Sequence, residues 1–201
     1  MSKQLFSRSG KHPRFDSTPR SNWTEARHVW IDLHSTIFFT LPHNIKVPPE
    51  LTGLFIINSP EMKLNFFLRP GMYDFFIFCK SRFDTVNIWS NVDFVTTKWI
   101  VSNIIESPVI DIANILCIDD LNISRRYFGE YKSTKYITKL WPEMKEEEII
   151  VIDDSIHISE NKTRGIKVKP FIYQPGIDIN WDDILKDNIL EELEKKLTIH
   201  H

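Results

Sequence analysis

Short continuous apolar runs, each closed by a polar cluster, set the pattern of this chain. Val29-Trp30-Ile31 ends at Asp32-Leu33-His34-Ser35-Thr36, and Leu54-Phe55-Ile56-Ile57 ends at Asn58-Ser59-Pro60. Leu64 to Leu68 stops at Arg69-Pro70-Gly71, and Val86-Asn87-Ile88-Trp89 stops at Ser90. Ile149-Ile150-Val151-Ile152 is the clearest run and leads directly into Asp153-Asp154-Ser155. Runs of about four to eight apolar residues bounded by turn formers suit buried strands. Val168 to Ile172 reads as one further short strand. Between these runs the spacing changes to that of helices, over Met72 to Lys80 and over Phe94 to Ile105. The last helix is predicted over Asp182 to Leu197. Its Ile184, Leu185, Ile189, Leu190, Leu193 and Leu197 share one stripe, with acidic residues early and lysines late, as the helix dipole favours.

Apolar strands alternating with helices imply an α/β fold, a parallel sheet covered on both faces. Such a sheet binds its ligands beyond the carboxyl ends of its strands. Three of the runs end there in reactive side chains: Asp32, Ser90 and the Asp153-Asp154 pair. The domain is expected over residues 27–201. Residues 1–26 are basic and turn-rich, with Pro13 and Pro19. They read as a flexible tail whose charge suits an acidic partner or nucleic acid.

Composition narrows the function. The 201 residues carry 25 Lys plus Arg against 27 Asp plus Glu, a net charge of −2, which argues against a surface that grips nucleic acid all over. Hydrophobic residues make up 42%, enough for a packed core and too many for disorder. No apolar run approaches the roughly 20 residues of a membrane span, and none follows the basic N-terminus as a secretory signal requires. An intracellular protein that does not engage membranes is expected. Cys79 and Cys117 are too few for a disulfide framework and read as reduced core thiols.

If their strands are neighbours, Asp32, Asp153 and Asp154 converge at one end of the sheet. Converged carboxylates repel unless a cation sits between them, and Mg2+ prefers such hard oxygen sites. A carboxylate held there can attack a phosphoryl group. Acidic residues after strands also cap helices and fill turns, so spacing alone leaves both readings open.

The residues around these strand ends resemble the haloacid dehalogenase superfamily, in its branch of small phosphatases called NLI-interacting-factor-like or FCP1-like. Trp30-Ile31-Asp32-Leu33-His34-Ser35-Thr36 is similar to the strand ending in Asp-x-Asp-x-Thr of that family. Val86 to Ser90 is similar to its second motif. Lys135-Tyr136-Ile137-Thr138-Lys139-Leu140 resembles its lysine segment, and Ile149 to Ser155 its final acidic motif. The resemblance implies a Rossmann-like parallel sheet without a large cap domain. It implies a Mg2+-dependent phosphoprotein phosphatase working through an aspartyl-phosphate. Asp32 would be the nucleophile. Thr36, Ser90, Asn91 and Lys135 would hold the phosphoryl group. Asp32, the His34 carbonyl, Asp153 and Asp154 would form the metal side. The absence of a large cap favours a phosphorylated protein side chain, in a flexible segment, over a small metabolite.

One position departs from the family pattern. Where the family has the second Asp, the general acid and base, this chain has His34. Residues i and i+2 of an extended segment face the same side, so His34 keeps the position. Imidazole is a competent acid-base group, but a neutral imidazole is a poor acid. The alternative reading is therefore a catalytically impaired domain that binds a partner.

Overall fold

The computed structural model describes residues 26–129, 131–155 and 165–175, together with Ile184 and Leu193. The expected tail, His157 and the closing helix fall outside the described residues, apart from Ala26, Ile184 and Leu193. Both Ile184 and Leu193 are buried in the main core.

The centre is a five-stranded parallel sheet in the order β6-β5-β1-β7-β8. Its strands are β1 (His28–Ile31), β5 (Thr85–Trp89), β6 (Ile115–Leu116), β7 (Ile149–Asp153) and β8 (Gly165–Lys167). β1 lies in the middle, with Ile31 beside Ile88 of β5 and Ile152 of β7. Alternate residues divide the sheet between two cores. Val29, Ile31, Val86, Ile88, Ile150 and Ile152 pack against one face with α1 (Met72–Arg82) and α2 (Phe94–Ile100). Trp30, Trp89, Ile149 and Val151 pack on the other with α3 (Ile118–Phe128) and α4 (Thr134–Leu140). Burial on both faces explains why the strands are apolar throughout rather than alternating.

The remaining strands form a second, antiparallel sheet in the order β2-β4-β3, with β2 (Phe38–Pro42), β3 (Phe55–Ser59) and β4 (Leu64–Leu68). This corrects the expectation that the runs at 54–57 and 64–68 join the parallel sheet. Phe38, Phe66 and Leu68 face the main core, while Phe39 stacks on Phe67 with ring centroids 4.9 Å apart, near Phe171. The small sheet occupies the stretch between Thr36 and Arg69, which leaves no room there for a large cap. A second correction concerns the last short strand, which is Gly165–Lys167 and not 168–172. No helix among the described residues is long and apolar enough to cross a membrane.

Helix ends follow local chemistry. Asp93 caps α2, its side chain accepting from the Thr96 N–H at 3.0 Å. α3 begins with acids and ends with Arg125 and Arg126, then closes on Gly129 in the left-handed conformation at φ 78°. α2 continues into one π-turn, Val101–Ile105, whose Val101, Ile104 and Ile105 are buried in the main core.

Candidate active site

β1 and β7 are adjacent and parallel, so their last residues meet at the carboxyl edge of the sheet. Asp32 directly follows β1, its N–H donating to Ile152 O at 2.9 Å. Asp153 ends β7, and Asp154 follows it. Asp32 continues the alternation of Trp30, and Asp153 that of Val151. Both carboxylates therefore point to the α3–α4 side, where the loop between those helices brings in Lys132.

Lys132 is buried between the two. Its Nζ donates to Asp32 Oδ1 at 2.7 Å and to Asp153 Oδ2 at 2.5 Å. The Ser155 N–H donates to the other oxygen of Asp153 at 2.6 Å, so Asp153 is held at both ends. Asp154 is fixed by Thr36: the Thr36 hydroxyl donates to Asp154 Oδ1 at 3.2 Å and accepts from the Asp154 N–H at 3.1 Å.

Three carboxylates face one ammonium. Burial pushes Asp32 up to about 7, Lys132 opposes the shift and Asp153 adds to it. Asp154 is also raised, by burial and then by Asp153, against the Thr36 hydrogen bond. Burial disfavours the ammonium of Lys132, but Asp32 and Asp153 outweigh it and hold the group above its ordinary range. Asp32, Asp153 and Asp154 each offer an oxygen within 4.8 Å of the others. Hard oxygen donors and an excess of negative charge suit a divalent ion such as Mg2+.

These groups line a cavity of about 320 Å³, together with His34, Ser35, Asn91, Ile118, Leu121 and Tyr131. His34 is half-buried, and its ring meets Phe38 edge-on with centroids 6.0 Å apart. Burial holds its imidazole below the ordinary 6.5, against the charge of Asp154. The Ser35 hydroxyl lies 3.1 Å from His34 Nδ1. Ser35 has φ 65°, a left-handed conformation that costs a non-glycine residue energy. It is held there from both sides, its N–H donating to Phe38 O at 2.7 Å and its O accepting from the Phe171 N–H at 2.6 Å.

Of the residues singled out in the sequence, Asp32, His34, Asn91, Asp153 and Asp154 line the cavity. Three do not. Ser90 is fully buried at the end of β5, where its hydroxyl accepts from the Val92 N–H at 3.2 Å. Thr36 is fully buried and is engaged with Asp154. Lys135 is exposed on α4, and Lys132 is the lysine in the cavity. A helix-start signal separates the two lysines. Ser133, a residue type favoured at helix N-termini, occupies the N-cap of α4. Lys132 therefore lies in the loop at the sheet edge, while Lys135 is already in the helix.

A family model described as NLI interacting factor-like phosphatase matches residues 28–199. The chain belongs to this family. Among solved structures it is similar to Fcp1, described as an essential RNA polymerase II CTD phosphatase, with 17% identity and a TM-score of 0.51 over 86% of this chain and 49% of that one. A fission yeast Fcp1 variant bound to beryllium fluoride is 18% identical, with a TM-score of 0.46 over 86% of this chain and 51% of that one. The chain thus spans about half the length of the structures it matches. The likeness at this identity concerns the fold, which is the haloacid dehalogenase-type α/β fold expected from the sequence. No curated protein matches the chain.

Proposed function

We propose that this chain is a Mg2+-dependent phosphoprotein phosphatase that acts on phosphoserine or phosphothreonine inside the cell, through an aspartyl-phosphate on Asp32. The observation that carries the reading is the convergence of Asp32, Asp153, Asp154 and Lys132 in one cavity at the sheet edge.

In this reading an Asp32 oxygen attacks phosphorus and the bond from phosphorus to the substrate oxygen breaks. The departing oxygen takes a proton from His34. Water then attacks the aspartyl-phosphate, His34 accepts its proton, and inorganic phosphate leaves with Asp32 restored. Lys132 lies beside the nucleophile, placed to offset negative charge on the phosphoryl oxygens. The Asn91 side chain supplies amide donors to the same space. Asp32, Asp153 and Asp154 would hold Mg2+, which offsets the carboxylate charge and polarises the phosphoryl group when bound. The cavity of about 320 Å³ has room for a phosphorylated side chain.

His34 supports a second reading. Its lowered pKa keeps the imidazole neutral at physiological pH, and a neutral imidazole is a poor acid. Loss of acid-base help costs about 10²–10⁴ in rate. The second reading is a domain that binds a phosphorylated partner with little turnover.

Hydrolysis of para-nitrophenyl phosphate with Mg2+, followed from about pH 5 to 8 against an Asp32→Asn blank, separates the two. Turnover above the blank supports the phosphatase. Turnover only after His34→Asp supports the binding domain. No turnover in either protein overturns the catalytic assignment.

A further inference from the structure

α3 and α4 present three cations, each set against an aromatic ring, and one of them reaches the cavity wall. The Arg125 guanidinium lies 4.7 Å from the ring centre of Tyr131, which itself lines the cavity. Arg126 lies 5.6 Å from the Tyr127 ring, and Lys139 sits 5.9 Å from Tyr127 and 6.0 Å from Phe128. Tyr127 is 65% exposed. Among the described residues none of these three cations forms an ion pair, although Arg27, Lys80 and Lys132 all do. Acids do occur on α3, but in its first turn, at Asp119 and Asp120.

The helix dipole accounts for cations in the last turns of α3 and α4. It does not account for their seating on Tyr127, Phe128 and Tyr131, with no carboxylate partner among the described residues, in a chain of net charge −2. Rings hold the guanidinium and ammonium groups in place without neutralising them. Among the described residues the three cations are held against rings and not by carboxylates, and charge complementarity calls for an anion.

We propose that this α3–α4 face docks an acidic segment of a phosphorylated protein whose phosphorylated residue enters the cavity. A second phosphoryl or carboxylate group on that segment is read by Arg125, Arg126 and Lys139. Arg125 links the two regions, because the ring beneath it is a wall of the cavity. A protein segment fits better than nucleic acid because the chain as a whole carries a net charge of −2, which disfavours a long polyanionic backbone more than a short acidic segment. The inference rests on the reading of the cavity as a phosphoryl site.

Binding to the Asp32→Asn variant of the 201-residue chain tests it without requiring turnover. Fluorescence anisotropy would be measured with Mg2+ and three peptides: phosphoserine in a neutral context, the same with a second phosphoserine, and the same with a glutamate in its place. Both doubly anionic peptides are expected to bind about tenfold tighter than the neutral one, and combined Arg125→Gln, Arg126→Gln and Lys139→Gln changes are expected to remove that advantage. About 0.5 M salt should remove it as well. Arg126→Gln alone, at an exposed position, should reduce the advantage in part and serves if the triple variant does not fold. Equal affinity for the three peptides overturns the proposal. So does an advantage that survives the triple change at native melting temperature. Single-stranded RNA binding that is lost in the triple variant while peptide affinities stay unchanged also overturns it and assigns the face to nucleic acid. Turnover of para-nitrophenyl phosphate by the wild type without a peptide preference overturns docking alone. A preference without turnover supports docking and overturns catalysis.

Discussion

Lys132 and Asp32 stand one hundred residues apart in the sequence and meet at 2.7 Å in the structure. The same ammonium reaches Asp153, so one buried cation ties the strand end of β1 to that of β7. Removing one partner of a buried ion pair leaves uncompensated charge and costs about 3–5 kcal/mol. Lys132→Ala is expected to lower the melting temperature and to reduce turnover by about 10²–10³, the scale for losing a preorganised charge partner. Lys135→Ala should keep turnover within about twofold, as expected for an exposed substitution away from the site. Parallel melting curves and phosphatase assays check both, and equal effects of the two changes would refute the assignment of Lys132.

The carboxylate cluster predicts metal linkage. A ligand that binds the folded state alone stabilises it by about 2.7 kcal/mol at one hundred times its Kd. Mg2+ should raise the melting temperature, more so with a phosphate mimic, and chelation should abolish turnover. In Asp154→Ala the Mg2+ shift should be lost. A Mg2+ response that persists in that variant would place the ion elsewhere.

Thr36, expected to bind phosphate, makes two hydrogen bonds to Asp154. Thr36→Val keeps the shape and removes both bonds. Loss of a group that orients a metal ligand typically costs about 10–100-fold in metal affinity. Titration of the Mg2+ dependence of turnover should show a rise of that order in the ion concentration needed at half-maximal rate. An unchanged Mg2+ requirement with raised KM would return Thr36 to phosphate binding.

His28 carries a pH dependence away from the site. Burial lowers its pKa below 6.5, only partly offset by Glu148, and its Nδ1 lies 2.9 Å from Thr85 Oγ1. The unfolded chain protonates at about 6.5, above the folded pKa. The contribution of His28 to stability is thus complete above about pH 6.5 and declines as pH falls below it, by at most about 1.4 kcal/mol per pH unit. Urea unfolding at several pH values should show a shallower acid decline in His28→Gln, with the share of His34 remaining. An unchanged slope would contradict this assignment.

The parts of the fold that were legible are those with continuous apolar runs. β1, β5 and β7 are buried on both faces, so Val29 to Ile31, Val86 to Trp89 and Ile149 to Ile152 stand out, and Asp32, Asp153 and Asp154 follow as strand ends. The antiparallel sheet was not separable, because Leu64 to Leu68 is nearly as buried as the parallel strands: Asn65, Phe66, Phe67 and Leu68 all lie inside. The short β6, of two residues, carries too little pattern to be seen. α3 was passed over because of its polar content, although Asp119 and Asp120 at its start, Arg125 and Arg126 at its end and Gly129 beyond are ordinary helix punctuation. Lys132 stands out in the sequence only as part of a basic stretch with Arg125, Arg126 and Lys135, because its place at the sheet edge depends on where α3 stops and α4 begins.

The central claim is that Asp32 is the nucleophile. Its most direct test is acid quenching during Mg2+-dependent turnover, followed by digestion and mass spectrometry of the peptide that contains Asp32. The account predicts a phosphoryl adduct on Asp32, absent in Asp32→Asn and enriched if His34 is slow to activate water in the second step. Turnover with no adduct on Asp32, or with an adduct on another residue, would contradict it.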